Sequence, residues 1–360
     1  MKKLKLFLFT LVAFFVVGFA VNVNAEGNVA KIGDTEYATV QAAIDAAEDG
    51  QTVVLLQDVT ENPTIDGKDF VLDLGGNTLT VSNYGVDTYG STLVVINGTV
   101  TVDGGVGFYL NNGNTFTLDT TAKINGTGTG IVSDLYPADA EVDNTVIING
   151  EINMEAGTAI TLDNASTLIV NEGAKVIGTD GILVADETAT VDGKKVELNK
   201  NASTVTVNGY VEGSNVGITI NGNITSDTEY PTITIGSKAE IYTDGDETVG
   251  LYLAGNGKTT IADGAKLSGS AGAVEVRAGE LTINGGTFTS TYEGEAVVVT
   301  PNGNGSTTVG AALAVAQHTT KLPVNVTING GTFNGVAAVY ESNPQESFRL
   351  YCPLRAPRCH

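Results

Sequence analysis

Through most of the chain, apolar and polar residues alternate in runs of three to five, and turns rich in Gly and Asn separate the runs. Thr204-Val205-Thr206-Val207, Thr232-Ile233-Thr234-Ile235, Leu251-Tyr252-Leu253 and Ala273-Val274-Glu275-Val276-Arg277 are typical. Period-two alternation places Val, Ile and Leu on one face of a strand and Thr, Glu or Tyr on the other. Strands this short do not hold a sheet alone and need close neighbours. One early segment breaks the pattern. Val40, Ala43, Ile44 and Ala47 fall at helical spacing, with Thr39 placed as an N-cap and Gly50 as a stop, so a helix is expected within residues 39–49. Its position ahead of the strands suits a cap over the exposed apolar end of a stack.

The turns carry a recurring phrase, Ile/Val-Asn-Gly, whose Asn residues are Asn97, Asn125, Asn149, Asn208, Asn221, Asn284 and Asn329. Asn and Gly both tolerate positive φ, so each phrase reads as a strand end followed by a sharp turn. Intervals of 24, 28 and 45, the last taken as twice 22, indicate a repeat of about 22–28 residues. Intervals of 13, 59 and 63 do not fit this period. The expected fold is all-β: a single-stranded right-handed parallel β-helix, a solenoid of roughly 10–14 coils. Corner asparagines stacked on one another would hydrogen-bond along the ladder. An immunoglobulin-like array would need units of about 100 residues and usually a buried Trp, and the chain has no Trp. Thr-x-Thr pairs such as Thr232/Thr234 resemble those of ice-binding solenoids, but the loose period predicts that they do not align.

Composition fits this picture. The 360 residues include 45 Gly and 42% hydrophobic residues, too apolar for a disordered acidic chain. A net charge of −23, from 18 Lys+Arg against 41 Asp+Glu, disfavours nucleic acid and anionic lipid as partners. Lys2, Lys3 and Lys5, the apolar run Leu6–Val21 and Val23-Asn24-Ala25 make residues 1–25 a secretory signal peptide, with no membrane insertion expected after cleavage. The β-helix is assigned to residues 26–345. Residues 346–360 hold both cysteines, Cys352 and Cys359, and three of the four arginines; they read as an aberrant, disordered tail.

The segment Ala38–Leu56, with its Ala-Ile-Asp-Ala-Ala and Gly-Gln-Thr-Val-Val-Leu phrases, resembles the opening of right-handed parallel β-helix proteins of the pectate-lyase-like superfamily. Thr-Ile-Asn-Gly-Gly-Thr-Phe, at Thr282–Phe288 and Thr327–Phe333, resembles repeats of large bacterial cell-surface, adhesin-like β-helix proteins. The resemblance covers about residues 30–342. It implies the fold and leaves function open, because such a scaffold hosts enzymes, binders and structural proteins.

Candidate chemistry is thin. Arg277 is the only arginine of the body, and Glu275, two residues earlier, shares its strand face; the pair is the best lyase candidate, and its ordinary reading is an exposed ion pair. Asp244, Asp246 and Glu247 open like a calcium loop without completing one, so Ca2+ is the one cofactor considered. Gly255-Asn256-Gly257-Lys258-Thr259 imitates a phosphate loop without its first Gly. Tyr84, Tyr89, Tyr109, Tyr242 and Tyr252 would stack on sugar rings if several shared a face. The expectation is a secreted or surface-displayed structural or adhesive protein that binds extracellular polysaccharide or cell-surface glycan without catalysis. The alternative is a calcium-dependent lyase of acidic polysaccharides.

Overall fold

The structure is a computed structural model. It describes residues 27–342, except 135–141, 164, 187, 192–193, 198–200, 301–306 and 318. The expected signal peptide and the tail from 346 lie outside the described residues. Among the described residues strand predominates and helix is confined to one short element. The strands form long parallel sheets, compatible with a parallel β-helix.

Each coil contributes one strand to a first sheet and then runs along a second and a third face before returning. The first sheet has 13 strands; the first two, Ala30–Ile32 and Thr35–Tyr37, are antiparallel and the other eleven are parallel. Among the described residues there are thus eleven coils, inside the expected range. Long strands such as Gly98–Leu110, Ala122–Ser133 and Tyr210–Ile220 bend through a corner and serve both the second and third faces.

Alternation works as expected: inward residues stack like on like. On the third face the inward column runs Val86, Phe108, Ile131, Ile160, Ile182, Ile218, Leu251, Val274 and Leu313. Every one of these is fully buried. On the second face Phe288 stacks on Phe333 of the next coil, with ring centroids 4.7 Å apart and planes 10° from parallel.

The helix spans Val40–Ala46, shorter than expected. Thr39 caps it by accepting from the Ala42 amide at 3.0 Å, while Glu61 accepts from the amides of Val40 and Gln41. Val40, Ala43 and Ile44 are buried. The hairpin Ala30–Tyr37, which the alternation pattern does not mark, pairs antiparallel with Gln51–Leu55 and occupies that edge of the first sheet.

Register corrects two readings of the repeat. Ile283 pairs directly with Ile328, so the 45-residue interval is one coil with a long insertion, not two coils. The ill-fitting intervals arise because the phrase occupies different places in the coil. Asn97, Asn149, Asn208, Asn284 and Asn329 follow first-sheet strands; Asn125 lies within a second-face strand, and Asn221 follows a third-face one. The turn chemistry also differs from expectation. Of these asparagines only Asn97 takes positive φ, and Gly150 and Gly209 lie outside the left-handed region. Their hydrogens matter through close approach: a Cβ on either would strike backbone carbonyls of the coil before.

The expected asparagine ladder is present in part. Asn171 Nδ2 donates to Asn149 Oδ1 at 2.7 Å, Asn329 to Asn284 at 2.9 Å, and Asn97 to Asp73 at 3.1 Å. A second ladder, fully buried, lines the opposite corner where the third face returns to the first sheet. Ser91, Asn114, Asn144, Ser166 and Ser203 occupy it, each just ahead of an outward Thr. The Ser91 amide donates to Asn114 Oδ1, the Asn114 amide to Asn144 Oδ1, and the Ser166 amide to Ser203 Oγ.

The outward threonines also align, contrary to the loose-period argument. Thr92, Thr115, Thr145, Thr167, Thr204 and Thr232 form one column on the first sheet. The adjoining column is broken by Ile147 and Ile169, and Lys258 and Glu280 continue the first, so no uniform threonine array results.

Two inward polar residues give opposite predictions. Asn144 Nδ2 donates to Leu110 O, Ser133 Oγ and Asp134 O, so Asn144→Ala orphans several buried groups. It should lower unfolding free energy by at least about 2 kcal/mol. Thr259 stands in an aliphatic column between Ile233 and Leu281, and its buried hydroxyl has no hydrogen-bond partner. Thr259→Val should therefore raise the melting temperature. Denaturant and thermal melts of the two variants check both signs.

Candidate ligand-binding face

Outward residues of the third face form a single column through the stack. In register order it runs Asp87, Tyr109, Val132, Thr161, Leu183, Thr219, Tyr252, Glu275, Ala314 and Tyr340. Val132 and Thr219 point away from the core yet are only 8% exposed, so the column is the floor of a trough.

The trough deepens to a cleft of about 270 Å³. Leu183, Thr219 and Tyr252 form its base, and Asp180, Asn215, Asn221, Glu247, Thr248 and Val249 its sides. Asn215 Nδ2 donates to Asp180 Oδ1 at 2.7 Å and holds that wall. At the other end of the column three tyrosines gather. The rings of Tyr84 and Tyr109 meet edge to face at 5.7 Å. Tyr109 donates to Asp134 at 2.6 Å and Tyr89 to Asp87 at 3.0 Å. Four of the five tyrosines singled out by sequence thus share this side of the stack, while Tyr242 stands on the second face.

Glu275 and Arg277 adjoin the cleft beyond Tyr252, but not as the exposed ion pair that was the ordinary reading. They are 1% and 2% exposed, with Arg277 Nε 4.0 Å from Glu275 Oε1. Arg277 donates to the Tyr252 hydroxyl at 3.0 Å. Glu275 is engaged by residues just ahead of strand Ala311–Ala316, in the insertion that follows strand Thr287–Ser290 of the 45-residue coil. Thr307 in that insertion donates to Glu275 from its amide at 2.9 Å and its hydroxyl at 2.8 Å. The pair was visible in sequence; its burial depended on a partner 32 residues away.

Asp244, Asp246 and Glu247 occupy the corner between strands Glu240–Thr243 and Val249–Leu253. Glu247, with φ 54°, lines the cleft. Among the described residues no group of three or more His, Cys, Asp or Glu converges closely enough to hold a metal ion. The phosphate-loop imitation dissolves into a first-sheet strand, Lys258–Ile261, with Lys258 outside and Thr259 in the core.

Burial pushes the Tyr252 phenol above its ordinary value, with Glu275 adding to the effect and Arg277 opposing it. Burial likewise raises the Glu275 carboxyl above its ordinary 4.5, against the hydrogen bonds from Thr307 and the charge of Arg277.

No protein-family model, curated protein or solved structure matches this chain.

A raised folded-state value means that the folded state holds the proton more tightly. The stability that Glu275 contributes is therefore complete below its ordinary value and is lost as pH rises through the elevated folded value. Replacing Glu275 with Gln should flatten this part of the pH dependence. Melting temperatures of the two proteins, recorded from about pH 4 to 8, should diverge steadily in slope; parallel curves would contradict the assignment.

Proposed function

We propose that this chain is a secreted or surface-displayed bacterial β-helix protein that works as a structural and adhesive module, holding extracellular polysaccharide on its third face without turnover. We read the stack as right-handed, after the resemblance to the pectate-lyase-like superfamily and the steric preference of crossovers between parallel strands. The helix Val40–Ala46 acts as the cap over its first coil.

The observation that carries the non-catalytic reading is the state of Arg277. Proton abstraction by a lyase needs a base that reaches substrate. Here the body's one arginine is buried, donates to Tyr252, and stands beside a carboxylate that is itself engaged by the insertion. These contacts suit an anchor for Tyr252 and for the insertion. The calcium-dependent lyase is kept as a second reading because Glu247 does line the cleft next to Tyr252.

The experiment is incubation of the full mature chain with pectins, alginates, glycosaminoglycans and neutral polysaccharides, with and without calcium. The expected result is retention on a polysaccharide without release of unsaturated product. Calcium-dependent ultraviolet absorbance of such product, abolished by Arg277→Ala in a variant that still folds, would replace this reading with the lyase. Secretion adds a second check: the exported protein should begin at Glu26 by mass.

A further inference from the structure

Granting that the third face holds polysaccharide, we propose that its ligand is an uncharged glycan lying lengthwise along the stack, between the tyrosine cluster around Tyr109 and the cleft at Tyr252.

The direction comes from register. Tyr109, Val132, Thr161, Leu183, Thr219 and Tyr252 are successive members of one column. Five inter-strand steps separate the two aromatic ends, about 24 Å at 4.8 Å per step. A pyranose chain advances by a similar length per sugar, so successive sugars meet successive coils. The floor between the ends is aliphatic and hydroxylic, and the sunken positions of Val132 and Thr219 make it a trough that a single chain fills. Aromatic rings at its ends present faces and edges to the apolar faces of sugars. The Tyr109 and Tyr89 hydroxyls are tied to Asp134 and Asp87, and the Tyr252 hydroxyl to Arg277, so little side-chain freedom is lost on binding.

Charge decides the class. Among the described residues lining the cleft there is no Lys or Arg, whereas Asp180 and Glu247 both belong to it. The carboxylates of Asp180 and Glu247 accept from sugar hydroxyls, and the side-chain amides of Asn215 and Asn221 supply further polar groups. A uronate, sialate or sulfate laid there would face carboxylates and leave its charge without a partner. Arg277 does not supply one, since it is buried and engaged with the Tyr252 hydroxyl and the Glu275 carboxyl.

The test is titration of the full mature chain with neutral β-linked gluco-, xylo- and manno-oligosaccharides of one to eight units, with oligogalacturonates, and with amine-bearing chitosan oligomers. Affinity for at least one neutral series should climb with length and level off at about five or six units, the number that spans the column. Tyr109→Ala and Tyr252→Ala should each weaken the longest oligomer about three- to tenfold. Thr161→Arg, an outward change at mid-column, should abolish the gain from length while leaving the melting temperature unchanged. Tighter binding of oligogalacturonate or chitosan than of every neutral series would overturn the proposal, as would affinity independent of length or unmoved by Thr161→Arg. The broader reading fails separately. If the protein retains glycan but only Tyr242→Ala removes binding, adhesion survives and the third-face groove falls; if no glycan of any class is retained, the adhesive reading falls with it.

Discussion

The rest of the structure depends on one constraint: each coil must meet the next with its backbone amides and carbonyls in register. Buried peptide groups left unpaired are costly, and a parallel ladder pairs every rung only when strands keep a constant spacing. Like residues therefore stack on like, and one inward choice is repeated down the molecule. The inward column from Val86 to Leu313 and the Phe288–Phe333 stack are consequences of this rule. The two polar ladders are others, since a buried Asn or Ser is tolerable where the next coil supplies its partner.

Register fixes the strands but not the chain between them. The step from one first-sheet strand to the next is 19 residues between Gln51 and Phe70, 37 between Leu168 and Val205, and 45 between Leu281 and Val326. Additional residues loop out at corners, where closing a longer loop costs little more than closing a short one. One such loop ends the trough. By seating Thr307 on Glu275, the insertion of the 45-residue coil engages the column position next to Tyr252, so that the column is closed at Glu275, which is 1% exposed.

The strands were legible because period-two runs such as Thr204–Val207 need no distant information, and the helix because Val40, Ala43 and Ile44 follow its own periodicity. Coil length was not legible from Ile/Val-Asn-Gly, which sits at three different places in the coil. A better marker was present and missed: Ser or Asn followed by Thr and an apolar residue, at Ser91, Asn114, Asn144, Ser166 and Ser203, each at the buried corner ahead of a first-sheet strand. The tyrosines were legible as candidates but not as a column. Tyr109 and Tyr252 become neighbours along one line only after every intervening insertion has been subtracted. Glu275 and Arg277 show the same limit, since alternation gives the face of a strand and says nothing of the loop that covers it.

The measurement that bears most directly on the stack is a distance along its first sheet. Thr117 and Thr327 lie in one outward column with seven register steps between them. Spin labels at Thr117→Cys and Thr327→Cys, with Cys352 and Cys359 replaced by Ser, should give one narrow distance distribution centred near 34 Å, seven steps of about 4.8 Å. A centre one step longer would show that the 45-residue interval holds a hidden coil. A broad distribution, or one far from this value, would contradict the in-register stack itself.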